Sequence, residues 1–331
     1  MLRRLPFAVA AIAVALLAAA CSSQNVSPTQ PVLGGASPGA SGTACQTAPD
    51  PGNLPAWQPP ATTPPIVPFI IANVGELTCG QNRFLFSFLD PQNNVLAKPD
   101  MKASVAIYDL ARDPTKPIST VDGTFVWAIQ DVRGEYISNV TFPEAGVYGF
   151  EFTVTPANGA ASQIRATFSV DPSSPTVHVG QQAPAIKTPT AADPAGIAQI
   201  STDPSPDPAF YRVSEDQALA KHDPFVLIFA TPKFCTSAQC GPTLDRLKPY
   251  AAQYPTVDFI HVEPYELQFA NGQLQAVLDE NGQLISNQYT NAWGLTGEPW
   301  VFVVDRTGKV TASFEVIFSD AEMTAALDAV K

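Results

Sequence analysis

The sequence has 331 residues, which is long enough for two domains that each bury a core of their own. Charged residues make up only 15% of the chain, and 30 acidic residues against 18 basic ones leave a net charge of −12 at pH 7. This balance argues against nucleic acid and against an anionic membrane surface as partners. Five cysteines are too few for a scaffold of this length to depend on disulfides.

The N-terminus has the pattern of a secretory signal, predicted over residues 1–21. Arg3 and Arg4 precede an apolar run that ends at Ala20, and Cys21 follows at once. This pattern resembles the signal of bacterial lipoproteins, which implies that Cys21 is lipidated and becomes the mature N-terminus. An ordinary cleaved signal and an uncleaved anchor stay open, although the run is shorter than the roughly 20 residues of a spanning helix. All three interpretations place the protein outside the cytoplasm, and the first ties it by lipid to the bacterial cell membrane.

Residues 22–66 are rich in Pro, Ser, Gly, Thr and Ala, with almost no charge and no periodicity. Such a composition cannot bury a core, so it predicts a disordered tether. With Cys21 lipidated, four cysteines remain, and an even number is compatible with two disulfides. Cys45 in the tether either pairs with Cys79 as a structural disulfide or stays free, and the sequence does not decide between these states.

Residues 67–171 contain short strands with turn residues between them, as in the alternating run from Gly146 to Val154. This pattern predicts an antiparallel β-sandwich. The stretch from Pro143 to Tyr148 resembles the tyrosine corner of immunoglobulin-like domains, which implies that the Tyr148 hydroxyl bonds to nearby backbone. No His, Asp or Glu residues here have catalytic or metal-ligand spacing, so the sandwich is predicted to be a spacer or a partner-binding domain.

Residues 172–208 form a second stretch rich in Pro and Ala and are predicted to be a linker. In residues 209–331 an apolar run, Phe225 to Phe229, predicts a buried strand of a parallel sheet. A loop with Cys235 and Cys240 follows, and helical spacing begins after Gly241. Further strands and a closing helix complete the pattern of a small α/β layer fold.

Two stretches resemble the thioredoxin and redoxin proteins. The first is the strand, cysteine loop and helix with Cys240-Gly241-Pro242; the second runs from Trp293-Gly294 through Glu298-Pro299 to the turn at Gly308. The predicted fold class is therefore multidomain, an all-β immunoglobulin-like sandwich followed by an α/β thioredoxin-like domain. The resemblance implies that Pro299 is cis and that Glu298, Pro299, Gly241 and Pro242 contact an incoming peptide as an added strand.

The cysteine spacing departs from the family pattern. The family has two residues between its cysteines, whereas four separate Cys235 from Cys240, and Thr243 stands where the second cysteine is expected. Either cysteine could be the nucleophile, and activation by a helix N-terminus favours Cys240. The buried acid that the family carries on the preceding strand is absent here, which leaves Glu263 or Glu298 as a candidate proton acceptor.

Three functions are compatible with these residues. The first is thiol–disulfide exchange by Cys235 and Cys240 with thiols or disulfides of extracytoplasmic proteins, which needs no cofactor. The second is a non-catalytic binding or structural module of the cell envelope, in which the same pair is a structural disulfide. The third is copper handling by an assembly factor with His261 as a further ligand, although a buried strand favours a core role for that histidine. His178 and His222 are predicted to be solvated, and no residues are assigned to a metal site.

Overall fold

The computed structural model describes residues 45–62, 64–72 and 76–331. The predicted signal peptide and its Cys21 lie outside these residues. None of the helices in the described part is long and apolar enough to cross a membrane.

Eight strands in the first half of the chain form two four-stranded antiparallel sheets. The sheet orders are β1-β2-β6-β5 and β4-β3-β7-β8. Their bounds are β1 Val67–Ile71, β2 Gly80–Leu89, β3 Lys102–Asp109, β4 Ser119–Asp122, β5 Thr124–Ile129, β6 Arg133–Phe142, β7 Gly146–Thr155 and β8 Ser162–Val170. Because side chains alternate along a strand, every second residue of β7 points inward. Aromatic rings from both sheets fill the core, as in the Phe84–Phe150 stack at 5.2 Å. The predicted sandwich is present.

The tyrosine-corner prediction is confirmed, because the Tyr148 hydroxyl donates to the Glu144 carbonyl at 2.9 Å. The predicted tether, by contrast, is wrong over its described part. Trp57 is 5% exposed and packs at a tilt against Tyr108, with ring centroids 4.8 Å apart. A Cβ on Gly149 would lie 2.5 Å from the Trp57 ring, so this approach requires glycine. A single large aromatic side chain is therefore enough to anchor a segment that is otherwise mostly exposed and whose composition is typical of disorder.

The second half of the chain contains a four-stranded sheet in the order β10-β9-β13-β14, a two-stranded hairpin and five helices. The strands are β9 Phe225–Phe229, β10 Asp258–Val262, β11 Leu267–Ala270, β12 Gln273–Ala276, β13 Trp300–Val304 and β14 Val310–Glu315. The helices are α1 Pro194–Ile197, α2 Glu215–Lys221, α3 Cys240–Gln253, α4 Gln288–Trp293 and α5 Asp320–Val330. All five residues of β9 are buried, as its apolar run predicts, and α5 begins at the capping box of Ser319 and Glu322.

The structure is β-rich, with 36% strand and 17% helix. This content contradicts the predicted fold class and the thioredoxin resemblance. Among the described strands, β9 and β10 form a parallel pair, and every other pairing is antiparallel. The turn at Arg306–Gly308 returns the chain as an antiparallel hairpin, and the insertion after β10 adds another. The chain therefore does not form the predicted α/β thioredoxin-like domain.

The predicted linker at residues 172–208 packs along the second half of the chain, beside α4 and the hairpin of β13 and β14. The Val177 amide donates to the Trp293 carbonyl, and the Ala183 amide donates to the Gly308 carbonyl. Gly294 ends α4 with φ +67°, and a Cβ there would lie 1.9 Å from the Pro175 carbonyl oxygen. Only glycine permits both this backbone conformation and so close a contact.

The sheet β1-β2-β6-β5 of the sandwich also packs against the second half, within one compact unit. An apolar cluster joins this sheet to the segment after β14; its members are Ile71, Leu85, Val126, Ala128, Ile137, Val316 and Ile317. Polar contacts surround the cluster. Arg83 pairs with Glu322 and donates to the Ile317 carbonyl, and Arg246 of α3 donates to the Trp127 carbonyl. The sandwich thus lies against the helix that begins at Cys240.

Candidate functional site

The cysteine loop connects the end of β9 to the start of α3. Cys235 and Cys240 form a disulfide, with their Cα atoms 5.9 Å apart. Cys240 is the first residue of the helix, and Ala238 reverses the chain before it with φ +61°. The strand fixes one end of the loop and the helix fixes the other. The structure therefore brings together the two cysteines that the sequence nominated.

The two sulfurs have different surroundings. Cys240 is fully buried, whereas Cys235 is half-buried. The backbone N–H of Cys240 donates to Cys235 Sγ at 3.1 Å, and the Ser237 hydroxyl lies 3.4 Å from the same sulfur. The N-terminal amide of α3 is thus directed at Cys235. The sequence led us to expect this helix N-terminus to favour Cys240, but the amide of the first helical residue points back toward the preceding loop.

Glu298 lies beside the disulfide and is 5% exposed. One of its carboxylate oxygens and the two sulfurs all lie within 4.8 Å of one another. Its Oε1 accepts from the N–H and O–H of Thr236, both at 2.9 Å, and its Oε2 accepts from the Tyr265 hydroxyl. Burial and the neighbouring carboxylate raise the pKa of Tyr265, so this phenol stays a donor. The side chain predicted to contact substrate therefore faces the sulfurs.

The remaining predicted contact residues lie near the loop. The Glu298–Pro299 peptide bond is cis, as the resemblance implied. Pro299 is buried, and its carbonyl accepts from the Val316 amide at 2.8 Å. Gly241 and Pro242 are half-buried in the first turn of α3. A Cβ on Gly241 would meet no atom closer than 4.0 Å, so close packing does not require glycine there.

Residues of the sandwich reach the cysteine loop, which the sequence analysis missed. The side-chain amide of Gln239 donates to Glu135 at 2.8 Å, and Glu135 pairs with Arg133 at 3.0 Å. Arg133 also donates to the Ser237 carbonyl at 3.4 Å. The signal in the sequence was the unusual placement of two opposite charges at alternate positions at the start of a strand, next to residues that are buried. The contact itself joins residues 104 positions apart and has no local signature.

The three histidines are not placed as metal ligands. His261 is 2% exposed, and its ring nitrogens lie 2.9 Å from the Tyr211 hydroxyl and 2.8 Å from the Ala230 carbonyl. It is a satisfied core residue, as its strand position suggested. His222 lies on the surface, as predicted. His178 is half-buried rather than solvated, and burial lowers its pKa.

The other nominated residues lie away from the sulfurs. Glu263 accepts from the amide and hydroxyl of Thr202, and it is not in the group with the two cysteines. Cys45 and Cys79 form a disulfide with Cα atoms 6.4 Å apart, which settles the pairing that the sequence left open.

Comparison with known proteins gives no family assignment. No family model matches the chain, and no curated protein matches it. The chain is similar to a DUF4426 family protein from Pseudomonas aeruginosa PAO1, with 9% identity over 32% of this chain and 89% of the other and a TM-score of 0.23. It is also similar to the filamin domain of Lin-41, with 15% identity over 30% of this chain and 90% of the other and a TM-score of 0.17. Both neighbours are β-sandwich proteins, and at these TM-scores neither supports an argument about function.

Proposed function

We propose that this protein exchanges disulfides with other proteins through Cys235 and Cys240. The observation that carries the proposal is the asymmetry of the pair. Cys235 is half-buried and accepts a hydrogen bond from the first amide of α3, whereas its partner Cys240 is fully buried. Hydrogen bonds and helix N-termini stabilise a thiolate, so a larger fraction of such a cysteine is in the nucleophilic form near neutral pH. Cys235 is thus the sulfur that meets an incoming protein, and Cys240 resolves the intermediate.

The reduction of a partner proceeds in two balanced steps. The Cys235 thiolate attacks one sulfur of the partner's disulfide, which forms a mixed disulfide and releases the partner's other sulfur as a thiolate. Cys240 then loses its proton and attacks Cys235 Sγ. This second step restores the Cys235–Cys240 disulfide and releases the first partner sulfur, which takes up a proton. The partner gains two electrons and this protein loses two, so no resident cofactor is needed.

Glu298 is suited to accept the proton from Cys240. Its carboxylate lies within 4.8 Å of both sulfurs, and three donors from Thr236 and Tyr265 fix its orientation. Water has little access to Cys240, because the side chain is fully buried. A buried thiol needs a nearby group to take its proton before it can attack. Glu298 is the carboxylate in the described chain that groups with both sulfurs.

The proposed setting is the outside of the cytoplasmic membrane, where protein disulfides form and persist. It rests on the lipoprotein-type pattern that ends at Cys21 in the sequence. Lipidation there would hold the exchange site near the membrane surface. The proposed partners are extracytoplasmic proteins with thiols or disulfides.

Copper handling has weaker support than thiol exchange. The imidazole of His261 is engaged at both nitrogens inside the core, so it does not complete a ligand set with the cysteines. Reduction would still leave two thiolates beside the Glu298 carboxylate, and soft thiolates suit Cu(I). Stoichiometric Cu(I) binding that is lost in Cys235→Ser and in Glu298→Gln would favour this alternative over exchange.

Catalysed reduction of insulin by dithiothreitol tests the proposed exchange. We expect the full chain to accelerate insulin precipitation, and we expect Cys235→Ser to abolish the acceleration. A double replacement of Cys45 and Cys79 by serine is the matched control, because that disulfide is held by a different part of the fold, and it should stay active if it folds. No acceleration by the folded wild-type chain would favour the structural-module alternative.

A further inference from the structure

We propose that Arg133 and Glu135 of the sandwich are positioning residues for the Cys235–Cys240 disulfide and that they set its reduction potential through Gln239 and Ser237. This inference rests on the proposed exchange function and adds a role for the sandwich, which the sequence presented as a spacer. The two residues lie at the start of β6, on the sheet to which Arg246 of α3 donates a hydrogen bond at the Trp127 carbonyl.

The first contact is with the residue directly before Cys240. Gln239 is fully buried, and its Nε2 donates to Glu135 Oε1 at 2.8 Å. Its Oε1 has no hydrogen-bond partner among the described residues. The bond to Glu135 is therefore the contact that holds the Gln239 side chain in place. The Gln239 carbonyl in turn accepts from the Thr243 amide at 2.9 Å, so this residue links the sandwich to the first turn of α3.

The second contact is with the loop between the cysteines. Arg133 pairs with Glu135 and donates from Nη1 to the Ser237 carbonyl at 3.4 Å. Ser237 also places its hydroxyl 3.4 Å from Cys235 Sγ. Glu135 is fully buried, and burial raises its pKa while Arg133 and Gln239 oppose that rise. A buried carboxylate is costly without partners, so its presence here ties the arginine, the glutamine and the loop into one network.

These contacts fix the loop at three points. Glu298 holds Thr236, Arg133 holds Ser237, and Glu135 holds Gln239. Each held residue lies between the two cysteines in sequence. Holding two thiols near bonding distance raises their effective concentration toward each other and favours the disulfide over the dithiol. Loss of the sandwich contacts should therefore make this disulfide easier to reduce.

The test measures the reduction equilibrium of the pair in the full chain. The protein is equilibrated with glutathione redox buffers, or with dithiothreitol if the potential is too low for glutathione. Alkylated peptides are then mapped by mass spectrometry to Cys235 and Cys240. We expect Glu135→Gln and Gln239→Ala each to shift the equilibrium about tenfold toward the dithiol, which corresponds to about 30 mV. The double variant should fall short of the sum of the two single shifts, because Glu135→Gln removes the charge from the hydrogen bond that Gln239→Ala removes altogether.

Glu144→Gln is the matched control, since Glu144 is a buried carboxylate of the sandwich that pairs with Arg112 instead. It should leave the equilibrium unchanged. If Glu135→Gln does not fold, Gln239→Ala alone carries the test, because its side chain belongs to the cysteine loop. The inference would be overturned if folded variants had a reduction equilibrium within twofold of wild type. It would also be overturned if the shifts of Glu135→Gln and Gln239→Ala added in full in the double variant. Failure of the exchange function is a separate result, since it appears as no acceleration of insulin reduction while the equilibrium stays measurable.

Discussion

The two disulfides in the described part of the chain differ in the length of chain that they close and in their place in the fold. Cys45–Cys79 joins residues 34 positions apart and ties the N-terminal segment to the sandwich. Cys235–Cys240 spans five positions, at a helix N-terminus and beside a buried carboxylate. The Cys45–Cys79 bond closes a long loop and restricts the unfolded chain strongly. The Cys235–Cys240 bond closes a short loop and restricts it weakly, but polar groups surround its sulfurs. Under the proposed function the first disulfide serves stability and the second serves chemistry, and the comparison makes that difference testable.

The largest expected effect is on stability, from removal of the long-range disulfide. Closure of a loop of about 34 residues stabilises a fold by about 4 kcal/mol in the chain-entropy model. We therefore expect the double replacement Cys45→Ser and Cys79→Ser to lower the free energy of unfolding by about this amount. Urea denaturation followed by circular dichroism measures it. A loss below about 1 kcal/mol would contradict the stabilising role assigned to this bond.

Replacement of Cys235 and Cys240 by serine should lower the free energy of unfolding about half as much. A loop of about five residues gives about 2 kcal/mol in the same model. The double replacement by serine should therefore leave a folded protein that has lost all exchange activity. Parallel urea denaturation and insulin-reduction measurements check both points. A stability loss larger than that of the Cys45–Cys79 variant would reverse the comparison.

Glu298 and Glu263 allow a sharper test of the surroundings. Each carboxylate is buried and accepts from the amide and hydroxyl of one threonine. Of these two carboxylates, Glu298 is the one that lies beside the two sulfurs. We expect Glu298→Gln to slow the release of a trapped mixed disulfide at least about tenfold, because Cys240 loses its proton acceptor. Stopped-flow release of a thiol leaving group measures this rate. Equal slowing by Glu263→Gln would mean that lost packing explains the effect.

The smallest expected effect concerns the contact that holds the sandwich beside α5. Burial raises the pKa of Glu322, but the bonds from Arg83 and Ser319 outweigh it and leave the pKa lowered. A carboxylate whose pKa is lower in the folded state stabilises the protein at pH values above its unfolded-state pKa, here near 4.5. This stabilisation is lost as the pH falls through the folded-state pKa. Glu322→Gln, which keeps the capping box, should thus cost about 1 kcal/mol at pH 7 and less as the pH falls below 4.5. A difference independent of pH in urea titrations would contradict this assignment.

Local patterns predicted the elements around the site but not their arrangement. The apolar run of β9 and the capping box at Ser319 are short-range signals, and both elements appear where they were expected. The preference for Cys240 rested on the helix N-terminus, but the first amide of α3 is directed at Cys235, and the direction of a single backbone amide has no signature in the sequence. The contact of Gln239 with Glu135 depends on how the sandwich packs. Burial of Trp57 likewise follows from the space above Gly149, which composition does not show.

The prediction of the fold class was wrong for a related reason. Motifs of a few residues matched a known family, but the structure as a whole is β-rich and mostly antiparallel. Short motifs report local geometry, such as the cis bond before Pro299, which the structure does contain. They do not determine how many strands pair in which direction.

The most direct test of the account asks which sulfur forms the bond to a partner. Reduced Cys240→Ser and Cys235→Ser proteins are each incubated with a protein disulfide, quenched with acid, and mapped by mass spectrometry. The account predicts a stable mixed disulfide on Cys235 in the Cys240→Ser protein and essentially none on Cys240 in the Cys235→Ser protein. A mixed disulfide that forms mainly on Cys240, or equally on both residues, would contradict it.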